Sequence, residues 1–158
     1  TEMEYRIVTK GSFRVMGIGA PMSKELEENF QLVPALWARA AQEGLPARLA
    51  PLMDPEMPGI LGISQAGVEG EFRYLIAVAT DAPLMEGMEE HMIPACTWAV
   101  FPGKGAMPGS IQELEQRIFT EWLPTSGYEY ANAPDIEVYL EPVPQDARFQ
   151  VWVPVTRK

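Results

Sequence analysis

Cysteine and histidine are almost absent from this chain, and their scarcity excludes several kinds of site. The 158 residues include one cysteine, Cys96, and one histidine, His91. One cysteine cannot form an internal disulfide or a multi-cysteine metal site. With a single histidine, most zinc sites and a Ser-His-Asp triad are difficult to assemble. From the sequence we therefore assign no catalytic residue, no metal site and no cofactor.

Basic residues are also scarce in this chain. Lys and Arg total 12 against 22 Asp and Glu, which gives a net charge of −10. A nucleic-acid surface needs clustered Lys and Arg, and no basic run occurs, so we expect no direct contact with nucleic acid. No apolar stretch reaches the length of a membrane span, and the N-terminal residues lack a signal-peptide pattern. These absences predict a cytoplasmic protein outside the membrane, whose charge attracts cationic small molecules.

The most informative stretch is residues 133–142, a short alternating segment that contains a proline near each end. In a strand, Ile136, Val138 and Leu140 would share one face, and Glu137, Tyr139 and Glu141 would share the other. At the edge of a sheet, the second face would lie in water and its glutamates would carry no special meaning. In a central strand above a concavity, Glu137 and Tyr139 would form an acidic and aromatic pair that suits an organic cation.

The second half of the chain repeats the first in the type and order of its elements. Each half has a strand, a helix and two closing strands, and the closing pairs are 60–64 with 72–80 and 136–141 with 149–155. The length suits one domain, so we predict a single domain over 1–158 with repeats at about 1–82 and 83–158. The expected fold is α+β: internally duplicated β-α-β-β units form one antiparallel sheet, two main helices cover one face, and a central groove lies between the halves.

Local signals predict where several elements begin. Residues 5–8 and 13–18 are strand candidates joined by a short turn that contains glycine and serine. The main helix of the first half is expected over about 33–43, with Pro34 tolerated in its first turn. In the second half, Ser110 opens a capping box and is expected to cap the helix that follows it.

A set of short segments over the whole chain has the order and spacing of a known family. In the first half they are Phe13-Arg14-Val15-Met16-Gly17-Ile18, Leu36-Trp37 and Phe72-Arg73-Tyr74. In the second half they are Ile93-Pro94-Ala95, Trp98-Ala99-Val100-Phe101, Glu121-Trp122-Leu123-Pro124-Thr125-Ser126-Gly127-Tyr128, Ile136-Glu137-Val138-Tyr139 and Val151-Trp152-Val153-Pro154-Val155. Together they resemble the GyrI-like small-molecule-binding domain, which is also the effector-binding domain of AraC-type and MerR-type multidrug regulators. Cys96 stands where the family usually has glycine, and no helix-turn-helix is expected, so the resemblance is to a stand-alone form.

The resemblance implies a central groove that takes lipophilic, often cationic, compounds and has an acidic residue at its base. Glu137 is the position that matches this residue. A carboxylate in an apolar groove is costly unless it is paired, so a bound organic cation would relieve that cost and the charge would select the ligand. Without the resemblance, a solvated glutamate on an ordinary strand is the better interpretation.

Six aromatic residues are candidates for the wall of the groove: Tyr139, Trp37, Trp98, Tyr74, Phe101 and Trp152. Aromatic faces hold cations by roughly 0.5–2 kcal/mol each, but aromatics at strand or helix spacing usually belong to the core. We therefore expect about half of the six to be core. Trp37 and Trp98 are the stronger wall candidates, because their helix and strand should approach the axis between the halves. Phe101 and Trp152 are the weaker ones.

The predicted function is binding of a lipophilic cationic small molecule, for sequestration or effector sensing. The same resemblance leaves two alternatives open. Some relatives are hydrolases of reactive compounds, and here Glu137 would act as the general base with help from Tyr139 or Tyr74. Members that inhibit gyrase suggest instead a protein-interaction module, for which an acidic surface is suitable. A protein partner, and either a monomer or a dimer, are compatible with the sequence.

Overall fold

Strand and helix segments follow one another along the chain to give nine strands and three helices in the part that the structure describes. The computed structural model describes residues 3–22, 26–66, 72–106, 109–141 and 146–158. The strands are β1 (Arg6–Lys10), β2 (Phe13–Met22), β3 (Ile60–Ala66), β4 (Phe72–Ala79), β5 (Glu89–Ile93), β6 (Cys96–Gly105), β7 (Tyr128–Tyr130), β8 (Asp135–Glu141) and β9 (Ala147–Arg157). The helices are α1 (Leu26–Gln42), α2 (Leu45–Leu49) and α3 (Gly109–Arg117); a π-helical turn and a 3-10 turn extend α3 to Thr125, and another 3-10 turn follows α2.

The nine strands form a single antiparallel sheet. Their order is β1-β6-β9-β8-β3-β4-β2-β5, and β7 pairs with β9 beside this path. The predicted α+β domain with one antiparallel sheet is therefore confirmed. The two middle strands, β3 and β8, pair directly and place Gly62 opposite Glu137. The strand that carries Glu137 is thus central, so its polar face does not belong to a sheet edge.

Two short links bring the ends of this sheet together. β1 lies at one end and β2 is next to last at the other end, yet only residues 11–12 connect them. Residues 94–95 connect β5 and β6 across the same gap. The three Cα–Cα steps that cross a two-residue link span at most about 11 Å. The sheet must therefore curl until its ends lie close to one another. The strands on either side of the first turn accordingly do not pair as a hairpin; β1 pairs with β6 instead.

The strand register separates an outer face from an inner face. Directly paired residues of antiparallel strands point to the same side, and one row across the outer face reads Ile18, Ile76, Gly62, Glu137, Val151 and Phe101. Leu36 of α1 packs at one end of this face, and Ile111 of α3 packs at the other. The inner face encloses a second core, to which strands from both ends of the sheet contribute.

Both long helices begin at positions that the local signals do not predict. α1 begins well before position 33, so Pro34 lies inside the helix and not in its first turn. The contact of Leu36 with the sheet stabilises the helix despite the N–H that proline lacks. Gly109 is the first residue of α3, so Ser110 lies within the helix and is not its cap. Tertiary packing overrides the local preference at both boundaries.

Candidate functional site

The outer face of β8 carries the candidate site. Ile136 and Val138 point to the inner face and are buried in its core. Asp135, Glu137 and Tyr139 alternate with them and are partly buried on the outer face. Because β8 is central, the carboxylate of Glu137 lies over the middle of the sheet, between the apolar cluster under α1 and the one under α3.

Glu137 accepts hydrogen bonds from two tyrosine hydroxyls. Tyr74 of β4 donates to Glu137 Oε1 over 2.8 Å, and Tyr139 donates to the same oxygen over 3.1 Å. The indole N–H of Trp37, on α1, donates to the Tyr74 oxygen over 3.1 Å. A chain of donors thus runs from α1 to the carboxylate. Gly62 makes room for it, since a Cβ at this position would overlap the Tyr74 hydroxyl.

The two tyrosines stay protonated throughout the physiological range. Burial, followed by the charge of Glu137, raises the pKa of Tyr74 well above its ordinary value. The same two causes, in the same order, raise the pKa of Tyr139. Both hydroxyls are therefore fixed as donors, and Glu137 is fixed as their acceptor.

Two further carboxyl groups lie close to Glu137. Burial, a hydrogen bond with Glu137, and the charges of Glu137 and Asp135 raise the pKa of Glu115, on α3, to about 10. Burial and the charge of Glu137 raise the pKa of Asp135 to about 6, against the opposing effect of its hydrogen bond with Tyr130. At neutral pH Glu115 therefore carries a proton, while most of Asp135 is ionised. We call Glu115, Asp135 and Glu137, with Trp37, Tyr74 and Tyr139, the acidic site.

Aromatic rings border the acidic site on both sides. Trp37 and Tyr139 meet edge to face with ring centroids 5.1 Å apart. On the side of α3, Phe119 and Tyr130 have centroids 6.1 Å apart, and the Tyr130 hydroxyl donates to Asp135. Beside Glu137, on the side of α3, is a cavity of about 50 Å³, whose lining includes Ser64, Glu115, Phe119, Asp135, Glu137 and Val151.

The structure brings only part of the predicted set together. Glu137, Tyr139, Tyr74 and Trp37 form one hydrogen-bonded group. Trp98 and Trp152 lie on the opposite, inner face, where their rings contact each other with centroids 5.8 Å apart. Phe101 shares the outer face with Glu137 but is fully buried under α3, against Tyr5 and Trp122. These three residues are core: the two tryptophans because of their strand register, and Phe101 because α3 covers it.

Two residues of the acidic site, Asp135 and Glu115, escaped the sequence reasoning, although the sequence contains a signal for each. Asp135 precedes Glu137 by two positions, so the alternation that placed Glu137 also places Asp135 on the same face. Glu115 lies one turn before Phe119 on α3, and it interrupts the apolar stripe that faces the sheet. Phe119 also lines the cavity and is 38% exposed, which only the structure reveals.

The acidic site is suited to binding a positive charge in a partly apolar setting. It offers carboxyl oxygens and aromatic faces, and none of the ion pairs between described residues involves Glu137. Across the described ranges, no group of three or more His, Cys, Asp or Glu side chains is arranged to hold a metal ion. In the same part of the chain, no helix is both long enough and apolar enough to cross a membrane.

Comparison with known proteins identifies the family. The family model of the GyrI-like small molecule binding domain matches residues 3–156. The chain therefore belongs to the GyrI-like family of small-molecule-binding domains, as its sequence segments indicated. It is 29% identical over 164 aligned positions to the transcriptional regulator BrlR of Pseudomonas aeruginosa, and the match covers 97% of this chain and 56% of BrlR. The chain thus spans little more than half the length of that curated relative.

Solved structures share the fold. SAV2435, in a structure bound to tetraphenylphosphonium, has a TM-score of 0.87 at 24% identity, and the match covers 98% of this chain and 94% of SAV2435. A protein of Staphylococcus aureus MU50 has a TM-score of 0.81 at 24% identity, and the match covers 98% of this chain and 99% of that protein. The sheet and helices described above are therefore those of known GyrI-like structures.

Proposed function

We propose that this chain binds lipophilic organic cations at the acidic site, with Glu137 as the counter-charge. The observation that carries the proposal is the setting of this carboxylate: it is partly buried, is hydrogen-bonded to Tyr74, Tyr139 and Glu115, and belongs to no ion pair among the described residues. Removing a carboxylate from water is costly when no positive partner is present. A bound cation supplies that partner, so the charge of Glu137 selects cationic ligands over neutral and anionic ones.

The aromatic side chains account for the lipophilic character of the proposed ligand. Trp37, Tyr74 and Tyr139 surround the carboxylate within hydrogen-bonding or ring contact of one another. Aromatic faces attract cations by roughly 0.5–2 kcal/mol each, and more where water is excluded. The tetraphenylphosphonium bound to SAV2435, which has the same fold, is a ligand of this chemical class.

The ligand enters by displacing side chains. The cavity at the site measures about 50 Å³, whereas sites for drug-sized ligands measure about 300–1,000 Å³. The side chains best placed to move are Glu115 and Phe119 on α3, because both line the cavity and neither belongs to the donor chain from Trp37. A cation beside Glu137 takes over the stabilisation that the Glu115 hydrogen bond provides in the empty site.

The proposed groove lies between two halves of similar construction. Outward from the central β3–β8 pair, the sheet continues through β4 and β2 on one side and through β9 and β6 on the other. β2 leads into α1, and β6 leads into α3. This order supports an internal duplication with the ligand site at its centre. Because the relative BrlR is a transcriptional regulator, we propose effector sensing as the role of the site, with sequestration as the simpler outcome in an isolated domain.

Tetraphenylphosphonium and tetraphenylborate test the proposal, because they have nearly the same shape and opposite charge. Titration calorimetry should show that the phosphonium binds and the borate does not. Glu137→Gln should weaken phosphonium binding by about tenfold or more, which is roughly 1.4 kcal/mol. Glu86→Gln removes one charge at an exposed position and should leave the affinity nearly unchanged.

Two results would contradict the proposal. One is comparable binding of the borate and the phosphonium. The other is an equal loss of phosphonium affinity in Glu137→Gln and in Glu86→Gln, since the loss would then reflect net charge and not the site. Mass spectrometry of the recovered ligand separates binding from turnover. Progressive loss of an added reactive compound, abolished in Glu137→Gln, would instead favour the hydrolase alternative.

A further inference from the structure

A larger cavity lies on the other side of the sheet from the acidic site. Its volume is about 340 Å³, which is within the range of small-molecule sites. β1, β8, β9 and the loop before β3 form its lining, and we call it the β1 cavity. The lining residues are Arg6, Val8, Thr9, Lys10, Glu56, Met57, Pro58, Val138, Leu140, Gln150 and Trp152. Val138 and Trp152 belong to the inner core, so no part of Glu137 reaches this cavity.

The β1 cavity combines apolar walls with positive charge. Val8, Val138 and Trp152 supply a continuous apolar surface. Arg6 and Lys10 line the cavity, and neither forms an ion pair with another described residue. They point to the same side of β1, because they are separated by an even number of positions. In an acidic chain with a net charge of −10, two cations outside any described ion pair at one cavity are a local reversal of sign. Lys10 Nζ also makes a cation–π contact with Phe13, 5.3 Å from the centre of the ring.

Hydrogen-bond donors also predominate at the cavity. The indole N–H of Trp152 donates to Gln150 Oε1 over 2.9 Å. This bond occupies the amide oxygen of Gln150 and leaves its NH₂ group as the free end. Together with Arg6 and Lys10, the lining therefore offers several donors against a single acidic side chain, that of Glu56.

We propose that the β1 cavity is a second ligand site, which binds an amphipathic carboxylate such as a medium-chain fatty acid. The alkyl chain lies against Val8, Val138 and Trp152, and the carboxylate accepts charge-assisted hydrogen bonds from Arg6 and Lys10. The site is separate from the acidic site in position and in the sign of its charge. It is independent of the proposed cation binding, and either can fail without the other.

Tryptophan indole resonances report on the two sites separately. The chain has 4 tryptophans; Trp37 donates into the acidic site, whereas Trp152 lines the β1 cavity. In ¹H–¹⁵N spectra of the full chain, sodium octanoate should shift the Trp152 indole signal saturably and leave the Trp37 signal in place. Trp152→Phe assigns the resonance. Octanol and octyltrimethylammonium, with the same chain length, should bind about tenfold more weakly, because they lose the charge-assisted bonds.

Two variants locate the carboxylate and the alkyl chain. Arg6→Gln combined with Lys10→Gln should reduce octanoate affinity to that of octanol and leave octanol unchanged. Val8→Phe narrows the cavity and should weaken both ligands, while an unmoved Trp37 signal confirms that the fold is intact.

The proposal is overturned if octanoate produces no saturable shift of the Trp152 signal, or if it shifts Trp37 instead. Equal affinity for all three octyl compounds would overturn it as well, as would an unchanged octanoate affinity in the double variant. Tetraphenylphosphonium added to the same samples tests the acidic site, so a failure at one site is distinguishable from a failure at the other.

Discussion

Three carboxyl groups converge at the acidic site, and the pKa values of two of them, Glu115 and Asp135, are raised to different extents. Glu115 lies on α3, and its partial burial and its hydrogen bond with Glu137 raise its pKa to about 10. Asp135 lies beside a tyrosine donor that opposes the effect of burial, and its pKa rises only to about 6. The site thus keeps the proton of Glu115 at neutral pH and releases the proton of Asp135 at about pH 6. The charge of the site therefore changes with pH.

Asp135 gives a prediction about stability and pH. Its pKa rises from 3.8 to about 6 on folding, so the folded state holds this proton more tightly than the unfolded chain does. The stabilising effect of the proton is complete below about pH 4 and is lost as the pH rises to about 6. Asp135→Asn removes this loss. The variant should therefore exceed the wild-type free energy of unfolding at pH 7 by about 1–3 kcal/mol.

Urea unfolding of Asp135→Asn and of the wild type at several pH values measures this difference. The matched control is Glu129→Gln, an exposed change on the neighbouring strand β7, which should change stability little at any pH. A gap between Asp135→Asn and the wild type that is as large at pH 3.5 as at pH 7 would show that deprotonation of Asp135 is not the cause.

Gly62 gives a second prediction at this scale. A methyl group at position 62 would overlap the Tyr74 hydroxyl and crowd Glu137. Gly62→Ala should therefore break the Tyr74–Glu137 hydrogen bond and destabilise the protein by about 1–3 kcal/mol. It should also weaken tetraphenylphosphonium binding more than it changes octanoate binding. Gly11→Ala, where a Cβ has no neighbour within 4 Å, is the control; equal effects of the two changes would contradict a specific role for Gly62.

The elements show which sequence signals suffice and which do not. The alternation over 135–141 was enough to predict β8 and the partition of its side chains, because only one face of that strand is apolar. β6 carries no such signal. Trp98, Ala99, Val100 and Phe101 are all buried, so both faces of the strand are apolar and the sequence cannot tell which face lies under α3. Trp98 was expected in the groove because its strand should approach the axis between the halves, and it lies in the inner core instead.

Long-range pairing was the other feature that the sequence did not reveal. The short link between β1 and β2 has the length and residues of a hairpin turn, yet β1 pairs with β6. The partner of a strand depends on the curvature of the whole sheet, and no local pattern encodes that curvature. Glu115 combines a local and a long-range feature. Its place in an apolar helical stripe can be read from the sequence, but its proximity to Glu137 depends on the tertiary fold.

Pro34 gives a prediction at the scale of the helix. It lies inside α1, where proline lacks an N–H and is about 3 kcal/mol less favourable than alanine. Its side chain is exposed, so replacing it removes no core contact. Pro34→Ala should raise the free energy of unfolding by about 1–3 kcal/mol. Pro46 lies in the first turn of α2, where proline is tolerated, and Pro46→Ala should give no comparable gain.

Urea denaturation of the two proline variants and the wild type provides the comparison. A loss of stability in Pro34→Ala would mean that α1 depends on the distortion that proline introduces. In that case the position of Trp37, one turn further along the helix, should change as well, and phosphonium binding should weaken.

On the scale of the whole molecule, the net charge of −10 acts on a cation before it reaches the site. Raising the ionic strength from about 0.01 M to about 1 M shortens the Debye length from about 30 Å to about 3 Å. The association rate constant of tetraphenylphosphonium should fall over this range, while its dissociation rate constant changes little. Stopped-flow tryptophan fluorescence measures both. Glu137→Gln should keep most of the salt dependence of association, because most of the net charge remains. An association rate that does not respond to salt would mean that the overall charge plays no part in capture.

The short links at residues 11–12 and 94–95 have a mechanical consequence for the proposed site. They connect the opposite ends of the sheet, so the strands cannot move apart without stretching these links. A bulky ligand between α1 and α3 therefore cannot gain space by flattening the sheet beneath it. The helices and their side chains must then move to fit ligands of different shapes. β3 and β8 remain a rigid base that holds the Glu137 carboxylate at a constant position.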